Sequence, residues 1–330
     1  MVKITSIILI IILLAALGYS SYYLYQNLPG SPKELIAEFG KGDINMENGK
    51  NQIPNENETE IISFPSGEMQ FYPGMRFSKL PISYSISSQC SEEKAENIDN
   101  AVQILEQETN LIFEKLNNEG QILVRCQEIS NREIEKQEFF VAGEGGPTEI
   151  VNTTLHYVIL KGEILLLRES DCTQPLIALH EMLHVLGFDH SQNKMSIMYN
   201  VSNCQQKLTK DIINEINRLY SISSLPDLYF SNITATKSGR YLSFEVEIRN
   251  RGLATSNSTT IAIYAAGDEE EQKIDSFDVN EMDVGDGIFL KVENVRLPSR
   301  ATDEIKFVID TENKIAELDE ENNIAILRTE

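Results

Sequence analysis

The chain is poor in basic side chains. Lysine and arginine number 28, against 51 aspartates and glutamates in 330 residues, for a formal net charge of −23. Nucleic acids bind to basic surface that contacts their phosphates, so this balance argues against a nucleic-acid partner. Histidine and cysteine are also scarce, with four of each. Three of the four histidines lie within eleven consecutive residues, and this concentration indicates where the chemistry of the chain is located.

These three histidines have the spacing of a metal site. His180 and His184 lie four residues apart, so on a helix they project from the same face. Gly187 can end the helix in the left-handed conformation, and His190 can then approach the same ion. Three imidazoles with one open position form the ligand set of catalytic zinc, at about 2.0–2.1 Å. Glu181 lies beside the ion, where a general base for an activated water is needed.

Residues 180–190, which end in Phe188-Asp189-His190 before Ser191, resemble the zinc signature of the metzincin metalloproteases, and the matrixin branch in particular. Met198, eight residues beyond His190, resembles the methionine turn of that family. The resemblance covers about residues 77–222. It implies an α+β catalytic domain, with a mixed twisted sheet and long helices. It also implies one catalytic zinc ion and a protein or peptide substrate.

The hydrophobic pattern first predicts a strand at 81–87, a helix at 91–117 and strands at 121–126 and 139–142. A loop at 143–147 and a hairpin of 155–160 with 163–167, about Lys161-Gly162, are expected next. The zinc helix is expected to start near Thr173 and Pro175, and a last helix to run from Asp211 to about Tyr220. An extended substrate is expected to pair with an edge strand above the zinc helix. The hairpin around Leu155–Leu160 is the nearest candidate for that strand. Tyr199 is given no catalytic role.

All four cysteines, Cys90, Cys126, Cys172 and Cys204, fall within the region that resembles a protease. None has Cys-x-x-Cys spacing, and an even count in an exported domain predicts two disulfides. Three pairings are possible, and we favour Cys90–Cys126 with Cys172–Cys204. Many matrixins are kept inactive by a propeptide cysteine, and this chain has none at that place.

The N-terminus predicts insertion into or passage across a membrane. Lys3 precedes an apolar stretch, Ile4–Leu17, and tyrosines follow. We favour an uncleaved anchor at residues 1–25, which would leave the rest of the chain outside a cell membrane that it spans once. The alternative is a cleaved signal peptide and secretion. Residues 26–76 are rich in Gly, Asn, Glu and Pro and are expected to form a disordered extracytoplasmic tether.

A second domain is expected at residues 226–330, after Leu225-Pro226. Short alternating strands at 242–248, 260–264, 288–292 and 305–309 predict an all-β sandwich. Three segments resemble the immunoglobulin-like cell-adhesion-related domain of bacteria and archaea: Asp227-Leu228, residues 248–252, and residues 309–323. That resemblance implies a spacer or adhesion unit with a possible cell-surface partner.

His156 has no partner histidine in the sequence, so we interpret it as structural or exposed and expect no second, structural zinc site. The acidic loops show no recognisable calcium-ligand spacing. The sequence therefore predicts an extracytoplasmic zinc endopeptidase. The alternative is a non-catalytic cell-surface adhesion or binding protein with a structural metal site, which a fourth protein ligand would close.

Overall fold

The computed structural model describes residues 33–39, 69–127, 141–168, 172–266 and 271–329, with the backbone alone for residues 33–39. The predicted anchor at residues 1–25, most of the predicted tether and the first half of the predicted strand at 139–142 lie outside these residues. No helix in the described ranges is long and apolar enough to cross a membrane.

The N-terminal sheet has six strands: β2 (Arg76–Phe77), β3 (Ile82–Ile86), β4 (Phe113–Lys115), β5 (Ile122–Cys126), β6 (Gly143–Asn152) and β7 (Tyr157–Leu166). Five of them follow the order β2-β7-β5-β3-β4 with parallel pairing, and β6 pairs with β7 in the antiparallel direction. The sheet is therefore mixed, as expected, and β6 is its edge strand on the side of β7.

Within the described residues, three helices accompany this sheet: α1 (Glu92–Glu108), α2 (Leu176–Val185) and α3 (Lys210–Leu219). The predicted helix at 91–117 was too long. Ser91 caps its start as expected, but Thr109 adopts an extended conformation and its hydroxyl bonds the Leu105 carbonyl at 2.6 Å. The chain then forms β4. The pairing of β4 with β3 outweighs the helical spacing of Ile112, Phe113 and Leu116, which had suggested that the helix continues.

The predicted hairpin at 155–167 and loop at 143–147 were wrong. Residues 157–166 form one strand, and Gly162 lies inside it opposite Ile122 of β5. A Cβ at Gly162 would lie 2.5 Å from Val185 on α2, so the glycine permits close packing rather than a turn. The true hairpin joins β6 to β7 through residues 153–156, where Thr154 has a positive φ of 72°.

Both predicted disulfides are present. Cys90–Cys126 joins the segment before α1 to the end of β5, with Cα atoms 4.9 Å apart. Cys172–Cys204 joins the approach to α2 to the segment beyond Met198, with Cα atoms 5.3 Å apart. The favoured pairing is therefore confirmed, and the second bridge fastens both flanks of the segment that carries the three histidines.

The C-terminal domain is the predicted all-β unit. Its strands are β8 (Leu228–Ser238), β9 (Tyr241–Asn250), β10 (Thr259–Ala266), β11 (Glu271–Val279), β12 (Gly287–Arg296), β13 (Glu304–Ile309) and β14 (Ile324–Thr329). All pairings are antiparallel, and alternate residues face one apolar core. All four predicted strands exist and extend beyond their predicted ends or match them.

The segments that suggested the adhesion-domain resemblance meet in one buried polar cluster. Asp227 accepts hydrogen bonds from Arg251 at 3.1 Å and from Asn322 at 2.7 Å. Glu317 accepts from the Leu228 main chain and from Asn323 at 3.0 Å. Buried carboxylates need such partners, so this spacing reflects a folding requirement.

The structure differs from the predicted tether at two places. Residues Lys33–Phe39 form strand β1, which lies between β14 and β8 and gives an eight-stranded order of β11-β10-β13-β14-β1-β8-β9-β12. Residues 69–75 belong to the N-terminal domain, where Met75 is fully buried in the core. The apolar residues of this segment, Leu35-Ile36-Ala37 and Phe39, are too few to stand out from the polar sequence on either side, so the strand was not predicted.

Glu317 should make the stability of the C-terminal domain depend on pH. Burial raises its pKa to about 7, despite the two hydrogen bonds that it accepts. A carboxyl group whose pKa is higher in the folded than in the unfolded state favours folding most when it is protonated. We therefore expect this contribution to the free energy of unfolding to fall as pH rises from about 4.5 to 7, and to level off above that range. Urea unfolding of wild type and Glu317→Gln checks this: the variant should lack that decline, and an identical pH dependence would contradict it.

Candidate metal centre and cleft

Helix α2 positions two of the three histidines. Its ten residues are nearly all buried, so it is apolar on most sides, as a core helix should be. His180 and His184 lie one turn apart on the same face. Gly187 then adopts a φ of 95°, which ends the helix and turns the chain towards His190. This is the conformation that the sequence predicted for Gly187.

The three imidazoles converge. The Nε2 atom of His180 lies 3.0 Å from that of His184 and 3.3 Å from that of His190, and His184 and His190 are 3.2 Å apart. Nitrogen ligands of a tetrahedral zinc ion lie about 3.3–3.4 Å apart when each is about 2.0–2.1 Å from the metal. The donor set therefore fits zinc, and these three are the metal-ligating group found among the described residues.

Main-chain carbonyls orient two of the rings. The Nδ1 of His180 donates to the Ile197 carbonyl at 2.7 Å, and the Nδ1 of His184 donates to the Phe188 carbonyl at 2.8 Å. A carbonyl can only accept, so each Nδ1 carries the proton and each Nε2 keeps a lone pair for a metal. Burial also lowers the pKa of His180 to about 4 and lowers that of His184, which keeps both rings neutral.

The methionine predicted beneath the site is buried there. Met198 is 1% exposed, and its carbonyl accepts a hydrogen bond from the Ser191 main chain at 2.8 Å. The preceding residue, Ile197, supplies the carbonyl that orients His180. The turn therefore contacts the site through its backbone, and the Met198 side chain belongs to the apolar core of the domain.

Glu181 is buried between α2 and the edge strand β6. Burial raises its pKa to about 7, and the charge of Glu144 on β6 raises it further. Two glycines of β6 permit this contact: a Cβ at Gly143 would lie 2.8 Å from the Glu181 Cγ, and one at Gly145 would overlap the Glu181 main-chain oxygen. A carboxyl group with a pKa near 7 suits proton transfer in both directions near neutral pH.

A cleft of about 670 Å³ opens over the three histidines and Glu181. One wall is formed by residues 141–145, and another by Asn200, Val201 and Ser202 beyond the methionine turn. Extended peptide fits such a groove, since one wall is the edge of a sheet. Ile177 on α2 also lines it.

The remaining histidine lies elsewhere. His156 is buried in the turn between β6 and β7, and burial lowers its pKa to about 4. Of the two alternatives left open for it, the structure supports a structural role.

Sequence reasoning missed the carbonyls of Ile197 and Phe188 and the glycines of β6, because main-chain contacts leave no motif. The glycine-rich stretch at 143–146 was visible but was interpreted as a loop.

Comparison with known families agrees with this geometry. The matrixin model matches residues 76–221, and the CARDB model, that of the adhesion-related domain, matches residues 225–326. The chain is a zinc metalloendopeptidase. Its catalytic part is a matrixin domain, and its C-terminal part is a CARDB domain with an immunoglobulin-like sandwich. No curated protein sequence shows significant similarity to the metalloendopeptidase.

Several solved structures are similar to parts of the chain. High choriolytic enzyme 1, a hatching-enzyme zinc protease from the medaka Oryzias latipes, is 19% identical, with 42% of this chain and 88% of that chain covered and a TM-score of 0.26. Myroilysin is 12% identical, with coverages of 48% and 88% and a TM-score of 0.28. A CARDB domain from Pyrococcus furiosus is 20% identical, with coverages of 32% and 88% and a TM-score of 0.26.

The contact between β6 and α2 should tolerate no side chain at Gly145. We expect Gly145→Ala to lower the free energy of unfolding by about 1–3 kcal/mol, because the added methyl group overlaps the Glu181 carbonyl. Gly146→Ala is the matched control, since nothing lies within 4 Å of a Cβ there. Its effect should stay below about 0.5 kcal/mol. Equal effects of the two changes in urea unfolding would show that β6 does not press on α2.

Proposed function

We propose that the protein is an extracytoplasmic zinc endopeptidase in which His180, His184 and His190 hold one zinc ion and Glu181 acts as the general base. The observation that supports this most strongly is the convergence of the three Nε2 atoms within 3.0–3.3 Å of one another. Glu181 lies beside them, on the same helix, and faces the cleft. The three ligands leave one coordination position for the reaction.

When bound, zinc would lower the pKa of a water molecule to about 7 and polarise the peptide carbonyl. The role of Glu181 would be to hold and move the proton: its carboxylate would accept a proton from the attacking water. Glu181 then delivers the proton to the amine that departs. The raised pKa of Glu181 supports both steps, because a carboxyl group that titrates near neutral pH can gain and release a proton there.

The substrate would lie extended along β6. The expected position near Leu155–Leu160 was wrong, because that segment contributes to β7, an inner strand. The outer edge belongs to β6, whose residues 143–145 line the cleft. Main-chain pairing at this edge would align a peptide independently of its side chains. Asn200, Val201 and Ser202 form the opposite wall, where side chains next to the cleaved bond would be selected.

We further propose that residues 1–25 anchor the protein in a membrane and leave both domains outside. The two disulfides support an oxidising compartment, since cytosolic proteins seldom keep them. The alternative is cleavage within this segment and secretion. We propose that the CARDB domain acts as a spacer or contacts a cell-surface partner.

A structural metal site in a non-catalytic adhesion protein remains the competing function for this constellation. It would require a fourth protein ligand, and within the described residues the metal-ligating group has three members. The histidines and Glu181 also line a cleft of about 670 Å³, as an open catalytic site requires. Both observations favour the enzyme.

Glu181→Gln should separate catalysis from metal binding. The amide keeps the size of the side chain but cannot accept a proton, so we expect hydrolysis of casein to fall by at least about 10²–10⁴-fold. Zinc content, measured by elemental analysis, should stay at one ion per chain. His184→Ala is the companion variant and should lose the metal. Full proteolysis by Glu181→Gln would remove Glu181 from the mechanism, and zinc retained at one per chain by His184→Ala would contradict the ligand assignment.

A further inference from the structure

Three residues upstream of the matrixin match, Met69–Phe71, pair with the turn that leads from His184 to His190. The contacts are Phe71 N to the Gly187 carbonyl at 3.0 Å, Asp189 N to the Met69 carbonyl at 3.0 Å, and an antiparallel bridge between Gln70 and Phe188. The zinc-motif turn is therefore held from outside by a short antiparallel segment. Nothing in the metal motif itself specifies this partner.

This turn, residues 187–189, determines the placement of two of the histidines, His184 and His190. Its Phe188 carbonyl accepts the hydrogen bond that orients His184, at 2.8 Å. Its Asp189 immediately precedes His190, and the Asp189 main chain is bonded to Met69. Displacement of this turn would move an acceptor of one ligand and the backbone of another.

The side chain of Phe71 contacts a ligand ring directly. Its ring stacks on the imidazole of His184, with centroids 5.7 Å apart and planes inclined by 20°. His184 is 7% exposed, whereas Phe71 remains 39% exposed. A phenyl ring this exposed contributes little to the core, but it covers a ligand ring whose orientation the metal requires.

The upstream segment is itself fixed in place. The Gln70 amide donates to the Met75 carbonyl at 2.7 Å, and its oxygen accepts from the Gly74 main chain at 3.1 Å. Gln70 is 5% exposed, and Met75 packs beneath Gly187, where a Cβ would lie 2.7 Å from the Met75 Cγ. Phe71 therefore projects from a loop that the hydrogen bonds of Gln70 to Gly74 and Met75 close.

We propose that Phe71 is a positioning residue for His184 and that Met69–Phe71 extend the zinc site beyond the matrixin match. This rests on the proposed function, since it requires His184 to be a zinc ligand. Phe71 and its segment limit the rotation of the His184 ring and the drift of the turn. The affinity for zinc is set partly by residues that lie outside the recognisable domain.

The test uses the full chain with Phe71→Ala, and with Phe71→Tyr as the conservative variant that keeps a stacked ring. Tyr72→Ala is the matched control, because Tyr72 lies in the same loop and stacks on Tyr157, with centroids 4.6 Å apart, instead of on a ligand. The zinc dissociation constant is measured by competition with a chelator. The visible spectrum of the cobalt-substituted protein reports the geometry of the ligands independently of activity.

We expect Phe71→Ala to raise the zinc dissociation constant about 10–100-fold, as loss of an outer contact to a ligand does. It should also change the cobalt spectrum, whereas Phe71→Tyr and Tyr72→Ala should match wild type within about twofold. Unchanged zinc affinity in Phe71→Ala would overturn the proposal, and so would an equal loss in Tyr72→Ala, which would indicate general loosening of the loop. If wild type bound no zinc or Glu181→Gln stayed active, the proposed function would fail instead.

Discussion

The catalytic centre depends on hydrogen bonds that orient two imidazoles before a metal arrives. His180 and His184 each donate Nδ1–H to a main-chain carbonyl, at 2.7 and 2.8 Å, and this leaves their Nε2 lone pairs directed at one point. Both carbonyls belong to turns rather than to helix α2. The helix supplies the spacing of the ligands, but the turns at Phe188 and Ile197 supply their direction. The Cys172–Cys204 bridge, which ties the approach to α2 to the segment after Met198, constrains the same region.

The edge strand β6 connects this centre to its substrate groove. Its glycines allow it to lie against α2, where Glu181 is buried, and this burial raises the pKa of Glu181 to about 7. The same strand leaves its outer backbone groups unpaired within the sheet, next to the cleft. If Glu181 is the general base, as we propose, the same packing interaction would both raise its pKa and leave exposed the edge with which a peptide would pair.

Much of the site could be predicted because metal coordination imposes a spacing that is visible in sequence. His180, His184, Gly187 and His190 lie where the motif requires, and the favoured disulfide pairing, one of three that the sequence allowed, is present. The errors arose where tertiary contacts override local pattern. Gly162 was predicted to form a turn, but it lies within β7 and makes room for Val185. After Thr109 the residues were predicted to be helical, but β4 pairs with β3 instead. Phe71 lies in a stretch that was predicted to be disordered because of its polar composition, yet its ring stacks on His184. Any residue type can supply a main-chain carbonyl or a main-chain pairing such as that of Met69–Phe71, so no sequence motif could have revealed these contacts.

X-ray absorption at the zinc edge of the purified full chain tests the central claim most directly. Three histidine nitrogens at about 2.0–2.1 Å and one light oxygen scatterer are expected, with one zinc ion per chain. The oxygen should be exchangeable for an added hydroxamate, which would show that the fourth position is open to a ligand. A fourth histidine, a sulfur at about 2.3 Å, or a first shell that an added hydroxamate leaves unchanged would contradict a catalytic site.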